Sequence, residues 1–438
     1  MAKFIIQGGR PLKGSIRLGG AKNASFKLMI ASLLTKGESR LLNFSKIADV
    51  EITKKIIESL GGKVRKCGER TLFINGAKIT TSVIPEKLGL ASRASTMFIG
   101  PLLARLKRAI VPMPGGDKLG KRPLDRHFAG LMALGAKVKF INGMFEVSAS
   151  KLKGTYFRFP KNTHTGTETL IMAAVMAEGK TILDNAAEEP EIDDLINFLN
   201  KMGAKINHLS SRKIQIEGVK ELKPVIHKIM PDRNEAVSYA IAAIITRGDI
   251  IVENAKAEHL EAFLDKLKLA GGGYEVGNYG IRFYYKGRLR ATDIITEPHP
   301  GFMTDWQPLW AVLATQSHGQ TTIFETVHLN RFQYCLYLNK MGAKINYIQP
   351  MPENPELFYN FNPEDDKEDF LHGIQIQGPT QLEAIKAEIS DLRAGATLTL
   401  AGLIAKGETV LTNIEHIERG YEDLDRRLIE LGAKIKKV

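Results

Sequence analysis

Met202-Gly203-Ala204-Lys205-Ile206 is one of six near-identical stretches that recur along this chain, each at the end of a helix-like run. A glycine just past an apolar helix, able to take the left-handed conformation, ends the helix, and the β-branched or aromatic residue that follows favours a strand. The six stretches cover residues 60–64, 134–138, 202–206, 270–274, 341–345 and 431–435. Helix stop, spacing and strand restart recur together, which predicts one structural unit copied six times.

A second pattern precedes most copies: an apolar helix, then Lys-Gly or a related dipeptide, then a strand. It is centred on Gly37, Gly179, Gly248, Gly319 and Gly407. The matching stretch of the second copy, residues 102–112, has no glycine and is therefore predicted to be the degenerate member. The unit is too long for an ordinary solenoid repeat. We therefore predict βαβαββ-like layers in an α/β or α+β fold with six sheets.

The composition is that of a soluble globular protein, with 44% hydrophobic and 25% charged residues in 438. That length favours two domains with three repeats in each. Cys67 and Cys335 are the only cysteines, which gives neither a disulfide framework nor a metal-ligand spacing. No signal-peptide pattern or long apolar run is present. We expect a cytoplasmic protein without membrane segment, metal or cofactor.

The formal net charge of +13 is compatible with nucleic acid, an anionic surface or small anionic substrates. A nucleic-acid binder concentrates its basic residues and interleaves exposed aromatic residues. Here the lysines are scattered over helix ends and strand starts in all six copies. Small polyanionic substrates are therefore favoured over nucleic acid.

One composition shift interrupts the repeats, at residues 349–368, where four prolines accompany a run of Asp and Glu. The repeat resumes on its far side. We therefore interpret this segment as an inserted surface loop or hairpin, and not as a linker between domains.

Two glycine-rich segments carry cations suited to an anion. Residues 19–25 form a glycine turn that enters a helix, and Lys22 adds a full charge beside the free amides of that helix start. Residues 112–125 combine three glycines and three prolines with Asp117 and the cations Lys118, Lys121 and Arg122. This composition fits a hinged lid over a phosphorylated ligand as well as an exposed turn with solvated charges.

Further polar groups stand where apolar helices begin. Arg93 and the segment 162–168 are surrounded by small hydroxyl residues, which fit either helix caps or an oxyanion site. Asp305 fits either an N-cap or a base that takes a proton from a hydroxyl group. Arg393 and Arg419 present guanidinium groups, which suit phosphate and carboxylate better than lysine does.

Taken together, these motifs resemble the UDP-N-acetylglucosamine 1-carboxyvinyltransferases, a family of enolpyruvyl transferases. The resemblance runs over essentially the whole chain. Its most specific part is the loop Pro-Gly-Gly-x-x-x-Gly-x-Arg-Pro-x-Asp at 114–125. The other matching motifs are Lys22-Asn23 after Gly-Gly, Arg93, Thr304-Asp305, Asn330-Arg331, Asp391-Leu392-Arg393-Ala394 and Arg419-Gly420-Tyr421-Glu422.

The resemblance implies a two-domain inside-out α/β barrel with six βαβαββ repeats, three per domain. It implies one discontinuous domain of residues 1–21 plus 232–438 and a second of residues 22–231, which carries the 112–125 lid loop. The implied reaction transfers enolpyruvyl from phosphoenolpyruvate to the 3-hydroxyl of UDP-N-acetylglucosamine and releases phosphate by addition and elimination. This is the first committed step of peptidoglycan synthesis, and both implied partners are small molecules.

The family's functional residues map onto matching positions of this sequence. The resemblance implies that Asp117 is the general acid, that Asp305 is the base, and that Lys22 and Arg419 take part in catalysis. The implied phosphoenolpyruvate-binding residues are Lys22, Asn23, Arg122, Arg393 and Arg419. The implied UDP-N-acetylglucosamine-binding residues are Arg93, Arg122, Pro123, Leu124, Asp125, Arg126, Asn162, Thr163, His164, Thr165, Asp305 and Val327.

The main departure from the family is Asp117, which stands where the general acid is usually a cysteine. A carboxyl group with a raised pKa can donate a proton, but it cannot form the thioether that a cysteine thiolate forms. We therefore expect resistance to epoxide inhibitors such as fosfomycin. His164-Thr165 and His328-Leu329 also depart from the family, at positions that the resemblance assigns to the nucleotide sugar.

Two other functions compete with this one. The sister enzyme 3-phosphoshikimate 1-carboxyvinyltransferase shares the fold and the donor, but it carries Gly-Ser-Lys-Ser where this chain has Gly-Ala-Lys-Asn at 20–23. A non-catalytic paralogue that binds nucleotide sugars is motivated by the replaced cysteine. The retained Lys22, Arg122, Asp305 and Arg419 argue against it.

Overall fold

A computed structural model describes residues 2–115 and 123–438, which form two compact units. Unit 1 consists of residues 2–18 and 231–438, and unit 2 consists of residues 19–115 and 123–230. Each unit has a hydrophobic core of its own.

The strands of the described residues are β1 (Lys3–Gln7), β2 (Lys13–Arg17), β3 (Glu38–Leu42), β4 (Lys63–Cys67), β5 (Thr71–Asn75), β6 (Arg108–Pro112), β7 (Lys137–Ile141), β8 (Met144–Ser148), β9 (Tyr156–Arg158), β10 (Lys180–Asp184), β11 (Lys205–Ser210), β12 (Lys213–Glu217), β13 (Ile226–Lys228), β14 (Asp249–Glu253), β15 (Gly273–Gly277), β16 (Gly280–Tyr284), β17 (Ile294–Ile295), β18 (Gly319–Phe324), β19 (Lys344–Ile348), β20 (Gly373–Gly378), β21 (Lys386–Glu388), β22 (Glu408–Thr412) and β23 (Lys434–Lys437).

The α-helices are α1 (Lys22–Ala31), α2 (Ala48–Ser59), α3 (Glu86–Ala91), α4 (Ile99–Leu106), α5 (Asp125–Ala133), α6 (His164–Ala174), α7 (Pro190–Lys201), α8 (Arg233–Ile245), α9 (Glu261–Leu269), α10 (Gln307–Thr315), α11 (Cys335–Lys340), α12 (Pro355–Phe358), α13 (Leu392–Ile404), α14 (Glu415–Glu418) and α15 (Leu424–Glu430). Short 3₁₀ turns cover Ser32–Leu34, Arg93–Phe98, Ala257–His259, Phe332–Tyr334 and Pro363–Asp365.

The described strands form six sheets, three in each unit. In unit 2 the strand orders are β13-β3-β5-β4, β6-β8-β7 and β11-β12-β10-β9, and in unit 1 they are β15-β16-β14-β2, β17-β18-β20-β19 and β21-β22-β1-β23. The two strands at the start of the chain complete sheets of unit 1. Strand β1 lies between β22 and β23 and pairs antiparallel with both, and β2 pairs parallel with β14.

Buried helices lie at the centre of each unit. In unit 1, α8, α10 and α13 pack against one another, and nearly every residue in them is buried. In unit 2, α1, α4 and α6 are similarly buried, and α4 packs against α6. A helix that is apolar on all sides must be enclosed by other elements. The mixed α/β architecture and the six sheets predicted from the repeats are confirmed.

The glycine of each repeated stretch ends a helix in the way that the sequence predicts. These six glycines have φ angles between 84° and 105°, a conformation that only glycine adopts without strain. A strand begins within two residues after each of them. The degenerate second copy is also visible, because Lys107 takes φ 63° directly before its strand, where Gly179 and Gly407 take positive φ angles in two other copies, and its sheet has three strands.

The acidic insertion is not a hairpin. It contains helix α12 and the Pro363–Asp365 turn, and Tyr359 and Phe361 pack with Leu329 into a small separate hydrophobic cluster. The amide of Asn360 donates to the carbonyl of Thr326 at 2.7 Å. The prolines break the strand alternation, and the aromatic residues between them bury a side of the segment.

Residues 2–115 and 123–438 contain neither a membrane-spanning helix nor a cluster of metal-ligating side chains. No helix in these ranges is long and apolar enough to cross a membrane. No group of three or more His, Cys, Asp or Glu side chains in the same ranges is arranged to hold a metal ion.

Candidate functional site

Asp305 lies in unit 1, two residues before α10, and it is held by two arginines. Its Oδ1 accepts from Arg331 Nη2 at 2.8 Å, and its Oδ2 accepts from Arg393 Nη2 at 3.1 Å. The N-cap position of α10 is Trp306, which makes no side-chain capping bond. Asp305 is therefore not the helix cap that its position also allowed. It is the anionic centre of a cationic cluster, called here the Asp305 cluster (Asp305, Arg331 and Arg393).

The arginines control the charge of this carboxylate. Burial alone would raise the pKa of Asp305, but Arg393 and Arg331 outweigh burial and hold that pKa far below its usual range. Both guanidinium groups are almost fully buried, whereas the Asp305 side chain is 22% exposed. The cluster therefore carries a net positive charge at every physiological pH.

Arg393 is fixed at the start of α13 by several groups. Asp391 caps this helix, and its Oδ1 accepts from the amides of Arg393 at 2.9 Å and Ala394 at 3.0 Å. Arg393 Nη1 donates to the hydroxyl of Tyr421 at 3.1 Å, and that hydroxyl lies 2.8 Å from Ser238 Oγ. Tyr421 is two residues beyond Arg419, so the turn carrying Arg419 is tied to the Asp305 cluster.

Val327 lies in a turn that is also linked to Asp305. Glu325 Oε1 accepts from the amides of Val327 and His328, each at 2.9 Å. Its Oε2 accepts from Thr304 Oγ1 at 2.9 Å, and Thr304 directly precedes Asp305. Burial raises the pKa of Glu325, although Arg331 and these donors oppose the shift. Sequence reasoning missed Glu325, which follows strand β18 as an ordinary polar residue would.

Lys22 is the first residue of α1 in unit 2. The preceding residue, Ala21, provides no side-chain cap, so the first amides of this helix are not bonded by a capping side chain. Lys22 Nζ forms an ion pair with Asp49 Oδ2 at 3.1 Å, and Asn23 follows it as a partly buried residue. This arrangement agrees with an anion-attracting helix start.

Several of the predicted nucleotide-sugar residues of unit 2 are joined to one another. Arg93 Nη2 lies 3.5 Å from the carbonyl of Pro123, and Arg126 Nη1 donates to the carbonyl of Asn162 at 3.0 Å. Thr163 caps α6 by accepting from the amide of Gly166 at 3.3 Å. The structure thus brings 93, 123–126 and 162–165 together, with Leu124 buried and Asp125 opening α5.

His127 anchors the same group of segments, and sequence reasoning missed it. Its Nε2 lies 3.0 Å from Thr165 Oγ1. Burial, helped by the positive charges of Arg93 and Arg126, lowers the pKa of His127 to about 3. This imidazole is therefore neutral at physiological pH.

His164, the first residue of α6, contacts two charged residues that sequence reasoning also missed. Its Nε2 lies 3.0 Å from Lys27 Nζ and 3.3 Å from Glu168 Oε1. Lys27 sits in the middle of the apolar helix α1, where its charge has no partner nearby in the sequence. Asp117 and Arg122, the expected general acid and the expected phosphate ligand, lie outside the described residues.

This chain is similar in sequence to known enolpyruvyl transferases. The sequence model of the family described as EPSP synthase (3-phosphoshikimate 1-carboxyvinyltransferase) matches residues 6–428. The chain is 40% identical over 438 residues to a UDP-N-acetylglucosamine 1-carboxyvinyltransferase of Desulfatibacillum aliphaticivorans, and 41% identical over 438 residues to one of Halothermothrix orenii. Each alignment covers 100% of both chains.

Solved structures show the same fold at lower identity. The enolpyruvyl transferase NikO from Streptomyces tendae superposes with a TM-score of 0.86 at 21% identity, over 100% of this chain and 99% of that one. EPSP synthase from Acinetobacter baumannii superposes with a TM-score of 0.75 at 18% identity, over 100% of both chains. The predicted two-domain enolpyruvyl transferase fold is confirmed. Because the family match and the full-length relatives agree, this chain belongs to the enolpyruvyl transferases and, within them, groups with the UDP-N-acetylglucosamine 1-carboxyvinyltransferases.

Proposed function

We propose that this protein transfers the enolpyruvyl group of phosphoenolpyruvate to the 3-hydroxyl of UDP-N-acetylglucosamine and releases phosphate. The observation that carries the proposal is the Asp305 cluster, an ionised carboxylate between two buried arginines, in a chain whose full-length relatives have this name. The reaction is the first committed step of peptidoglycan synthesis, and we assign the protein to the cytoplasm on that ground.

In this proposal the phosphoenolpyruvate anion is bound by cationic side chains. Lys22, Arg122, Arg393 and Arg419 bind its phosphate and carboxylate, and Asn23 supports the reacting centre. The nucleotide sugar is held by 93, 122–126, 162–165, Asp305 and the backbone of Val327. Arginine forks and helix-start amides are the groups that recognise such anions.

The role of Asp305 as the base has a physical condition. A carboxylate held by two arginines is a weak base, because both cations stabilise its ionised form. Phosphoenolpyruvate provides a competing anion for Arg393, and its binding would draw that arginine from Asp305. The pKa of Asp305 would then rise toward its ordinary value, at the moment when the acceptor hydroxyl needs a base.

The proposed reaction has two steps, an addition and an elimination. In the addition, the sugar 3-hydroxyl oxygen bonds to C2 of phosphoenolpyruvate, its proton passes to Asp305, and Asp117 gives a proton to C3. In the elimination, C3 returns a proton to the Asp117 carboxylate, the double bond between C2 and C3 re-forms, and the bond between C2 and the phosphate oxygen breaks. Phosphate leaves, and the proton taken by Asp305 passes to it or to solvent. General acid catalysis of this kind is worth roughly 100- to 10,000-fold in rate.

Purified protein incubated with phosphoenolpyruvate and each acceptor in turn tests this proposal, with phosphate release as the measurement. Release with UDP-N-acetylglucosamine, and none with 3-phosphoshikimate, is the expected result. Release only with 3-phosphoshikimate would identify the sister activity. Tight binding of UDP-N-acetylglucosamine with no release would identify a non-catalytic nucleotide-sugar binder.

The role of Asp117 is tested by two substitutions. Asp117→Asn removes the proton that the addition step needs, so turnover should nearly cease, whereas Asp117→Cys should restore part of it. The wild-type protein should resist fosfomycin, and the Asp117→Cys variant should become sensitive. Stoichiometric covalent labelling of the wild type at residue 117 would contradict this assignment.

A further inference from the structure

Unit 2 contains two groups of the same chemical composition, each with one lysine, one histidine and one carboxylate. The His164 triad is Lys27, His164 and Glu168, which lie on α1 and α6. The His227 triad consists of Asp194 and Lys201 on α7 and His227 on β13. The two triads differ in which imidazole nitrogens contact the lysine and the carboxylate.

In the His227 triad, both nitrogens have a partner. Lys201 Nζ lies 3.3 Å from Nδ1, and Nε2 lies 2.8 Å from Asp194 Oδ1. The lysine can only donate, so Nδ1 accepts and Nε2–H donates to the carboxylate. The imidazole is 4% exposed, and both of its nitrogens are hydrogen-bonded within the protein. This triad has the character of a structural element.

In the His164 triad, both charged groups lie at the same nitrogen. Lys27 Nζ is 3.0 Å from His164 Nε2 and 2.6 Å from Glu168 Oε1, and Glu168 Oε1 is 3.3 Å from Nε2. Since an ammonium group has no acceptor, the Lys27 contact makes Nε2 an acceptor. The neutral imidazole must then carry its proton on Nδ1. Among the described residues, Nδ1 has no hydrogen-bond partner, and the side chain is 20% exposed.

Burial of the ion pair between Lys27 and Glu168 costs free energy, so stability alone does not explain the pair. The side chains of Lys27 and Glu168 are 3% and 0% exposed, so both charges have lost their hydration. Neither oxygen of the Glu168 carboxylate accepts a hydrogen bond from the described residues, although Lys27 Nζ lies 2.6 Å from Oε1 as an ion pair. Apolar side chains of similar volume often replace such a pair without loss of stability. The pair lies against His164, the first residue of α6, which points to an effect on that imidazole.

We propose that Lys27 and Glu168 are positioning residues that keep the proton of His164 on Nδ1, where it donates to an acceptor oxygen of the nucleotide sugar. This inference rests on the proposed function, which assigns 162–165 to that substrate. Lys27 sets the tautomer, and Glu168 keeps Lys27 charged and in place. The ligand class is an oxygen-rich nucleotide sugar with carbonyl, hydroxyl or phosphate acceptors.

Protonation of the imidazole preserves the same donor. Burial and Lys27 lower the pKa of His164, but Glu168 and Glu189, which precedes α7, outweigh them and raise it overall. The imidazolium form also has a proton on Nδ1. Nδ1–H therefore faces outward in both charge states, and a fall in pH adds positive charge without removing the donor.

Nitrogen-15 NMR of the full-length protein without ligands tests the tautomer directly. Wild-type His164 should show a protonated Nδ1. In Lys27→Met, Nε2 has only Glu168 as a neighbour, so its proton should move to Nε2 and donate to that carboxylate. Lys201→Met is the matched control, because it removes the lysine of the His227 triad and should leave the His164 signals unchanged. A wild-type imidazole protonated only on Nε2 would overturn the inference.

Steady-state kinetics test the consequence for binding. Lys27→Met should raise the KM for UDP-N-acetylglucosamine by roughly 5- to 30-fold, the effect of one lost hydrogen bond, with little change in kcat or in the KM for phosphoenolpyruvate. In His164→Asn, the amide nitrogen takes the place of Nδ1 as a donor that does not depend on a tautomer. Lys27→Met should therefore have no further effect in that background.

Lys27→Met leaves the buried Glu168 carboxylate unpaired, and a protein with this substitution could fail to fold. A double substitution removes this difficulty. Lys27→Met combined with Glu168→Met removes both charges, and it should give the same tautomer change and the same rise in KM. A tautomer that moves while both KM values stay unchanged would reject the inference and leave the proposed function intact. Wild-type protein that neither releases phosphate nor binds UDP-N-acetylglucosamine in calorimetry would reject both.

Discussion

Each unit places a cluster of charged side chains where a buried central helix begins, and the two clusters differ in their balance of charge. In unit 1, the Asp305 cluster before α10 has two guanidinium groups for one carboxylate. In unit 2, the His164 triad at the start of α6 has one ammonium group, one carboxylate and one imidazole. The first cluster has excess positive charge, and the second is close to neutral.

The difference indicates what each cluster can recognise. A cluster with spare cations can accept a polyanion, because the incoming charge replaces the carboxylate at an arginine. A balanced cluster attracts no anion strongly, but it can fix the direction of a hydrogen bond. The arginines of the Asp305 cluster are therefore suited to a small, densely charged molecule, and the His164 triad to the polar edges of a larger one.

Removal of the carboxylate of the Asp305 cluster should have the largest effect. Asp305→Asn eliminates the proposed base and leaves Arg331 and Arg393 without their anion, so kcat for phosphate release should fall by roughly 100- to 10,000-fold. Asp249→Asn is the control, because Asp249 pairs with Arg282 at an exposed site of the same unit. A loss of less than tenfold in Asp305→Asn would remove Asp305 from the mechanism.

Arg393→Lys should have the next largest effect. Lysine keeps the charge but loses the planar fork, so the KM for phosphoenolpyruvate should rise by roughly 10- to 100-fold while the KM for the nucleotide sugar changes little. The pKa of Asp305 should also rise, so activity should fall off at a higher pH on the acidic side.

The matched control is Arg282→Lys, since Arg282 makes a two-pronged contact with Asp249 at 2.9 and 2.6 Å. It should leave both KM values unchanged. Equal rises of both KM values in Arg393→Lys would contradict the division of ligands between the two clusters.

His127 sharpens the contrast within unit 2, because its pKa is lowered to about 3 whereas that of His164 is raised. The unfolded chain binds a proton at His127 below about pH 6.5, and the folded protein does not. The stability that His127 contributes is therefore complete above that pH and is lost as the pH falls. Between pH 7 and pH 5 this loss should amount to about 2 kcal/mol.

Urea unfolding of the wild type and of His127→Gln at pH 7 and pH 5 measures this loss of unfolding free energy. Glutamine retains a donor toward Thr165 but does not titrate, so its stability should depend less on pH. Identical pH dependence in the two proteins would show that His127 is protonated in the folded state.

The smallest expected effect is that of the cap that sets the start of α6. Thr163→Ala removes the bond to the amide of Gly166 and should destabilise the protein by about 1 kcal/mol. Thr163→Ser retains the cap and serves as the control in thermal unfolding. A larger rise in the KM for UDP-N-acetylglucosamine than in that for phosphoenolpyruvate would link this helix start to the nucleotide sugar, and unchanged KM values would separate them.

Local signals in the sequence were sufficient to predict the repeated architecture. Each helix stop depends on one glycine and its neighbours, so all six are visible without knowledge of the fold. The degenerate second copy could also be recognised from local sequence, because residues 102–112 contain no glycine. The insertion at 349–368 was recognised as an insertion, but its aromatic cluster depends on Leu329, which lies outside it.

The charged clusters depend on contacts that span long stretches of chain. Lys27 meets Glu168 across 141 positions, and within the apolar helix α1 its partner cannot be identified from neighbouring residues. For Asp305, the sequence allowed a helix cap or a base, and only the positions of Arg331 and Arg393 exclude the cap. Residues with local partners were therefore predictable, and residues with distant partners were not.

The position of β1 affects how the chain is made. Residues 3–7 lie between β22 and β23, so this strand pairs with segments that are synthesised much later than it is. Residues 19–230 can form their own core meanwhile, since domains fold as units during synthesis. Deletion of residues 3–7 would therefore leave β22 and β23 without the strand that joins them.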